Sequence, residues 1–328
     1  MKVLVADKFE KIGLIGLASL GCEVVNEPTV GAERLLDAVV QFDPDVLIVR
    51  SSKVTAAVLA AAKKLRLVIR AGAGVDNIDV GAATSKGVKV CNTPGMNAIA
   101  VAELTMGLML SIDRRIPDQV AALRSGQWNK KDFGKTGIGG ARGLKGLTLG
   151  MVGVGAIGQE VVKRAKAFGM HVISWSRNIS LQHAAALEVE WCGENTPELI
   201  ELLQRSDVVS VHLPLTDTTK KLFNKQMFDA MRPGAYFINT SRGGIVDEAA
   251  LREAVKDKGL RVGLDVWENQ PAEGACAWDS PTAKVPGVYG TCHSGASTDQ
   301  AQNAVAEEAV RVVKVFMASG RAENCVNP

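Results

Sequence analysis

The sequence predicts an α/β protein of two doubly wound parallel-sheet domains with a cleft between them. Three observations carry this. Short β-rich runs alternate with helical stretches from the first residues, the alternation resumes after a glycine-dense interruption, and the second series opens on a glycine turn, Gly150-Met-Val-Gly-Val-Gly-Ala-Ile-Gly158. Strands covered on both faces read as near-continuous apolar runs, as these do.

A chain of 328 residues is long for one hydrophobic core, so two domains are expected. A net charge of +3, from 38 basic and 35 acidic residues, is too balanced to call for a nucleic acid or a membrane surface as partner. The six cysteines contain no C-x-x-C pair, which points away from a metal site or a disulfide framework and towards a reduced, cytoplasmic setting. Met1-Lys-Val-Leu-Val-Ala6 starts directly as a strand with no signal-peptide core behind it, and no apolar run reaches membrane-spanning length. Cys325-Val-Asn-Pro328 fits a prenylation box poorly because of Asn327 and Pro328.

In order, the first series reads Lys2–Ala6 as strand, a helix near 10–20, Cys22–Val25 as strand, and a helix from Glu33 to Val40. Then follow strand Val46–Arg50, helix Ala56–Lys64, strand Leu67–Arg70, a helical turn near 78–85 and strand Val88–Cys91. Ile99 to Leu123 reads as one long helix interrupted near Pro117, and Trp128 to Gly146 as a basic surface loop. Gly134-Lys-Thr136 in that loop is not a P-loop, because Asn129 stands where its first glycine belongs. After the glycine turn come helix Gln159–Phe168, strand His171–Trp175, helix Leu199–Gln204, strand Asp207–Leu213, helix Gln226–Met231 and strand Ala235–Asn239. Helix Glu248–Lys256, strand Val262–Val266 and a helix from Asp299 to Ser319, with an apolar stripe along Ala301, Val305, Ala309, Val312, Val313 and Phe316, complete the pattern.

Gly153, Gly155 and Gly158 match G-x-G-x-x-G in the strand-to-helix context that a dinucleotide-binding, Rossmann-like turn requires. The first amides of the helix, at Ala156 and Ile157, then face a pyrophosphate, favoured by the helix dipole. Twenty-odd residues on, where a carboxylate would hold the adenosine ribose of NAD, stand Ser176-Arg177. A small hydroxyl and a guanidinium suit a 2′-phosphate, so NADP(H) is expected in preference to NAD(H). The alternative is a solvated Arg177 and use of either cofactor.

Of the four histidines, His171 reads as strand packing and His183 as solvated. His212 closes an apolar strand before Pro214, at the edge where open α/β sheets bind ligands, and His293 opens a small-residue loop where it can serve as general acid/base. Arg242 directly follows a strand and is suited to clamp a carboxylate. Ala71-Gly-Ala-Gly-Val-Asp76 is a second glycine turn, with Asn77 in place of a third glycine, whose amides can hold a small anion. Cys292 reads as a small buried thiol, with a redox-sensitive neighbour of His293 as the rival reading.

Arg70–Asp79, the Gly153 turn, Val211-His-Leu-Pro-Leu215, Ile238–Glu248, Gly263–Val266 and His293–Thr298, in this order, resemble the D-2-hydroxyacid dehydrogenases over essentially the whole chain. Val49–Val54, Asn92–Asn97 and Gly126-Gln-Trp128 most resemble members that act on a phosphorylated acid. The resemblance implies a flavodoxin-like substrate-binding domain, 1–96 plus 296–328, and a Rossmann domain, 97–295. It implies a homodimer built on the long helix and no regulatory domain with feedback by serine. It implies reaction on a small 2-keto or 2-hydroxy acid, here the pair 3-phosphohydroxypyruvate and 3-phosphoglycerate. Arg242 would hold the substrate carboxylate and His293 would pass the proton. Asp265 would hold the carboxamide or ribose side of the cofactor, along which Leu213, Pro214, Thr240, Ser241, Gly295 and Ala296 would lie. Ala73 and Gly74 would offer amides to the carboxylate, Arg50, Ser51 and Arg70 would take a phosphate, and Lys130 would reach it from a neighbouring subunit.

One departure stands at Gln270, where the family has a glutamate that orients the histidine; Glu268 is out of register. Glutamine can orient the imidazole without supplying charge. Glyoxylate or hydroxypyruvate reduction, formate oxidation, and nucleotide sensing with weak catalysis remain the alternatives.

Overall fold

A computed structural model describes the whole chain except residues 29–31, 136–139, 178 and 272–274 and the side chains of 32 and 33. Thr136 of the expected surface loop and the Glu33 side chain therefore lie outside the described residues. The chain forms two compact units, Met1–Asn97 with Ala296–Pro328, and Ala98–Gly295.

The first unit alternates β1 (Lys2–Val5), α1 (Lys11–Ser19), β2 (Glu23–Asn26), α2 (Ala32–Phe42), β3 (Val46–Val49), α3 (Ala56–Ala61), β4 (Leu67–Arg70), α4 (Val80–Ser85) and β5 (Lys89–Asn92). Its strands pair in parallel in the order β2-β1-β3-β4-β5, the flavodoxin-like arrangement. One sheet face packs on Leu35, Val39, Val58 and Ala83, and the other on Leu17 together with Val305, Ala309, Val312 and Phe316 of the helix Asp299–Ser319. Gly13 and Gly16 let α1 lie against that helix, since a Cβ on Gly13 would come within 2.9 Å of the Ala306 Cβ.

The second unit runs α5 (Ala98–Arg114), α6 (Ile116–Arg124), β6 (Thr148–Val152), α7 (Ala156–Ala167), β7 (His171–Trp175), α8 (Leu181–Ala186), β8 (Glu190–Gly193) and α9 (Thr196–Arg205). It continues with β9 (Val208–Val211), α10 (Lys225–Ala230), β10 (Tyr236–Asn239), a 3-10 turn at Gly243–Ile245, α11 (Glu248–Lys258), β11 (Arg261–Leu264) and β12 (Val288–Gly290). The helix Asp299–Ser319, α12, then returns to the first unit. The second sheet is parallel throughout, β12-β11-β10-β9-β6-β7-β8, and its order reverses between β6 and β9, where open α/β sheets bind ligands.

Several details differ from the sequence expectation. The interruption expected near Pro117 is a full break into two helices and falls at Arg115, which takes a left-handed conformation (φ 51°), while Pro117 sits in the first turn of α6, where its missing N–H costs no helical bond. Two short edge strands, β8 and β12, have too few apolar residues to stand out in the sequence. His171 is exposed rather than packed, since it begins β7 and only the residues after it enter the core.

Asp113, itself buried, fastens the end of α5 by accepting bonds from the Arg142 and Gly143 amides (2.8 and 3.0 Å) and the Tyr236 hydroxyl (2.8 Å). Burial and this carboxylate push the Tyr236 phenol well above its usual range.

Candidate active site

Because the strands of the second unit are parallel, their carboxyl ends deliver Gly153, His212, Arg242, Asp265 and His293 to one edge of one sheet. Gly153 leaves β6 with φ 96°, a region open to glycine, and a Cβ there would meet the His212 carbonyl oxygen at 2.5 Å. A Cβ on Gly158 would meet the Gly153 carbonyl oxygen at 2.5 Å, whereas Gly155 faces open space. The N-terminus of α7, capped by Gly155 with no side-chain bond, therefore presents bare amides over a clear approach. Those residues fit a dinucleotide pyrophosphate. Ala156 is exposed and Ile157 half-buried.

Beyond β7, Ser176 is buried, donates its amide to Gly193 O (3.0 Å) and accepts the Trp191 indole N–H (3.1 Å), while Arg177 is exposed. His212 pairs its Nε2 with Ser210 Oγ at 2.8 Å, and its Nδ1 is buried without a hydrogen-bond partner. Burial lowers this imidazole to about 4, so it is neutral at physiological pH and adapted to packing. Leu213 is half-buried and Pro214 exposed beside it.

At the end of β10, Asn239 shapes the arginine loop. Its Oδ1 accepts the Ser241 amide (3.0 Å) and hydroxyl (2.7 Å), and its Nδ2 donates to Arg242 O (2.9 Å). Thr240 shares a 2.9 Å hydroxyl contact with Thr105 of α5, and Arg242 donates to Ser241 O at 2.8 Å. Gly243 lies directly on the carbonyl of Trp267; a Cβ there would be 1.9 Å from that oxygen. The loop bearing Arg242 thus rests on the loop bearing Gln270.

Gln270 meets His293 directly, Nε2 to Nδ1, at 2.7 Å. Its Oε1 accepts the Trp267 amide at 3.2 Å, and since a backbone N–H can only donate, that bond fixes which end of the carboxamide faces the imidazole. Gln270 therefore donates to Nδ1, and the neutral ring carries its proton on Nε2. Glu268 faces away, paired with Lys221 at 2.8 Å and bonded to the start of α11.

His293 is exposed and adopts a left-handed backbone (φ 51°). Asp265, 1% exposed, holds it there: its carbonyl accepts the His293 amide (2.8 Å), Oδ1 accepts Thr291 Oγ1 (2.5 Å) and the Ser294 amide (2.8 Å), and Oδ2 accepts the Gly295 amide (2.9 Å). A carboxylate has about four acceptor positions, so roughly one remains on Oδ2. The sequence expected Asp265 to serve the cofactor; here most of its capacity shapes the histidine loop. Cys292 is exposed, not buried, because the same loop turns it outward.

In the first unit, the registers Val49↔Arg70↔Asn92 bring the ends of β3, β4 and β5 level. Arg70 folds over Gly72, whose Cβ, if present, would clash with the guanidinium. The turn through half-buried Ala73 and Gly74 is held by Asn92 Nδ2 on Ala73 O (2.6 Å) and the Thr93 amide on Gly72 O (3.1 Å). Sequence reasoning missed Asp7, although it lies only two residues beyond the end of β1. Its Oδ2 accepts the amides of Arg50, Ser51 and Ser52 at 2.6, 3.0 and 3.0 Å, so of Arg50 and Ser51 only the side chains remain to meet an anion. Burial lowers the Arg50 guanidinium, against the opposing pull of Asp7 and Glu10. Ala296, assigned to the cofactor from sequence, belongs to this unit, and its carbonyl accepts the Gln302 side chain. Lys130 is exposed on the loop after α6.

Among the described residues there is no cluster of three or more His, Cys, Asp or Glu side chains that could hold a metal ion, and no helix long and apolar enough to cross a membrane.

Comparison with known proteins adds the following. A family model described as D-isomer specific 2-hydroxyacid dehydrogenase, NAD binding domain, matches residues 106–295. The chain is 42% identical over 329 residues to the D-3-phosphoglycerate dehydrogenase of Methanocaldococcus jannaschii, covering 100% of this chain and 59% of that one. It is 43% identical to the hydroxypyruvate reductase of Thermotoga maritima, covering 84% and 85% respectively. The solved TT0316 protein of Thermus thermophilus superposes with a TM-score of 0.86 at 34% identity, covering 99% of this chain and 100% of that one.

Proposed function

The chain belongs to the D-isomer specific 2-hydroxyacid dehydrogenase family, and from that premise we propose that it oxidises 3-phosphoglycerate to 3-phosphohydroxypyruvate and catalyses the reverse reduction, with NADP(H) preferred over NAD(H). The observation that carries the reading is the 2.7 Å Gln270–His293 contact on a loop clamped by Asp265, beside the Arg242 loop on the same sheet edge. It fixes an Nε2–H pointing away from Gln270, the donor that a keto oxygen needs.

When bound, the nicotinamide supplies or accepts the hydride at C2. In reduction, Arg242 holds the carboxylate in bidentate fashion and polarises the adjacent carbonyl, while His293 Nε2 passes its proton to the keto oxygen. In oxidation, His293 takes the hydroxyl proton. Within the first unit, Arg50 and Arg70 are the candidates for holding a phosphate, and the amides of Ala73 and Gly74 for holding a small anion. The relative from Methanocaldococcus jannaschii supports the phosphorylated substrate, although this chain spans 59% of its length. Hydroxypyruvate reduction is the second reading, favoured by the Thermotoga maritima relative, which the chain covers over 85% of its length. The protein acts as a homodimer in both readings.

Initial rates with each reduced cofactor against phosphohydroxypyruvate, hydroxypyruvate and glyoxylate, together with NADP and formate, test the proposal. A kcat/KM for the phosphorylated acid at least tenfold above the others is expected. Activity confined to the unphosphorylated acids would move the assignment to the second reading, and no turnover would leave nucleotide sensing. Arg177→Ala should weaken NADPH binding by about tenfold or more and NADH little, and equal weakening would remove the 2′-phosphate contact.

A further inference from the structure

Cys91 and Cys325 are 234 positions apart, yet they oppose each other across an antiparallel bridge in the first unit. The bonds flanking the bridge, Asn92 N to Asn324 O (3.3 Å) and Val326 N to Val90 O (2.8 Å), make the cysteines the non-hydrogen-bonded pair of that short ladder. In such a pair the Cα atoms stand about 4.5 Å apart with side chains on one face, inside the range of about 4.4–6.8 Å that a disulfide spans. Asn327 locks the register, since its Oδ1 accepts the Val90 amide (2.7 Å) and its Nδ2 donates to Val88 O (2.9 Å) and Thr84 Oγ1 (3.0 Å). Both thiols are free; Cys91 is fully buried, and the half-buried Cys325 donates its S–H to Asn327 Oδ1 at 3.4 Å.

We propose that Cys91 and Cys325 form a redox-modification site, which closes to a cross-strand disulfide with a low-molecular-weight disulfide of the glutathione type as oxidant. The half-buried Cys325 thiolate attacks one sulfur of the oxidant, whose S–S bond breaks and releases one thiolate that takes up a proton. Cys91 then loses its proton to solvent and attacks the Cys325 sulfur, releasing the second small thiol. The two protein thiols give up two protons and two electrons, and the oxidant leaves as two thiols. Burial, reinforced by Cys325, pushes the Cys91 thiol up to about 12, so the second step is slow at neutral pH and speeds up as the solution becomes more alkaline. Once formed, the bond joins the 1–97 piece of the first unit covalently to the 296–328 piece.

The test incubates the full chain with oxidised glutathione at pH 8.5, blocks remaining thiols, and maps peptides by mass spectrometry. Exposed Cys276 and Cys292 will gain glutathione, so the diagnostic is a Cys91–Cys325 peptide lighter by two hydrogens than the sum of its parts. That peptide should appear at a rate rising about tenfold per pH unit up to pH 9, and the oxidised protein should melt about 5 °C higher. In Cys325→Ser, which leaves the buried position intact, both the peptide and the thermal gain should vanish; in Cys22→Ser both should persist. A stable glutathione adduct on Cys325 with no linked peptide would overturn the proposal, as would a thermal gain that survives in Cys325→Ser.

Discussion

At the scale of single residues, the exchange of a carboxylate for a carboxamide at position 270 has the sharpest consequence. Gln270 uses its oxygen on the Trp267 amide and therefore faces His293 with a donor. An imidazolium needs an acceptor at Nδ1, so this arrangement favours the neutral ring, whereas a glutamate would stabilise the charged one. Gln270→Glu should extend carbonyl reduction to higher pH by about one unit, read from the basic limb of kcat/KM. An unchanged profile would separate Gln270 from proton transfer. His212 gives a second pH effect, on stability. Its folded value of about 4 lies below the unfolded one, so the unfolded chain binds the extra proton as pH falls. The contribution is present above about pH 6.5 and is lost progressively towards pH 4, on the order of 3 kcal/mol in all. Urea midpoints should fall across that window, and the fall should shrink in His212→Gln. The sequence exposed Gln270 as a departure and His293 as a candidate acid, but not Trp267, because a backbone amide that selects the orientation of a carboxamide has no signature in residue type. Asp7 and the Cys91–Cys325 pair escaped for a related reason: their partners are set by register between distant strands, which spacing along the chain does not encode.

At the scale of elements, the turn from β6 into α7 shows how tightly glycine can be required. Gly158→Ala places a methyl 2.5 Å from the Gly153 carbonyl oxygen, a backbone atom that cannot swing aside. The helix must tilt from the strand, and about 2–4 kcal/mol of strain is expected, spread between folding and cofactor affinity. Fluorescence titration with NADPH and a thermal melt should both register the change, whereas Gly155→Ala, which meets nothing within 4 Å, should leave the melt unaffected and act on the cofactor alone. This turn was legible in the sequence because its chemistry is local, a strand, three spaced glycines and a helix within a few residues. The same holds for α12, whose bounds Asp299–Ser319 follow from one apolar stripe and a Thr298 cap. What sequence reading missed was the short: β8 and β12 at the sheet edges; the interruption expected near Pro117 was legible, and only its cause, one left-handed residue at Arg115, was not.

At the scale of the whole molecule, the apolar cores respect the division of the chain. The clusters built on Val152, Phe223 and Phe237 and on Met109, Val161 and Tyr236 lie wholly within 98–295, and those built on Leu47, Val68, Val46 and Ile69 lie wholly outside it. Residues 98–295 expressed alone should therefore unfold in one cooperative transition, observable by circular dichroism in urea. A gradual loss of signal would show that this core depends on the rest of the chain. Residues 1–97 alone should not fold, since Val305, Ala309, Val312, Val313 and Phe316 of α12 cover one face of their sheet. That face has a temporal side during synthesis. A ribosome adds about 5–20 residues per second, so the strands of the first unit wait roughly 10–40 s for the helix that covers them, while everything between is being made. Through that interval nascent β1 to β5 are a natural client for a holdase, and the growing polypeptide is at its most vulnerable to proteases and to its neighbours on the same messenger.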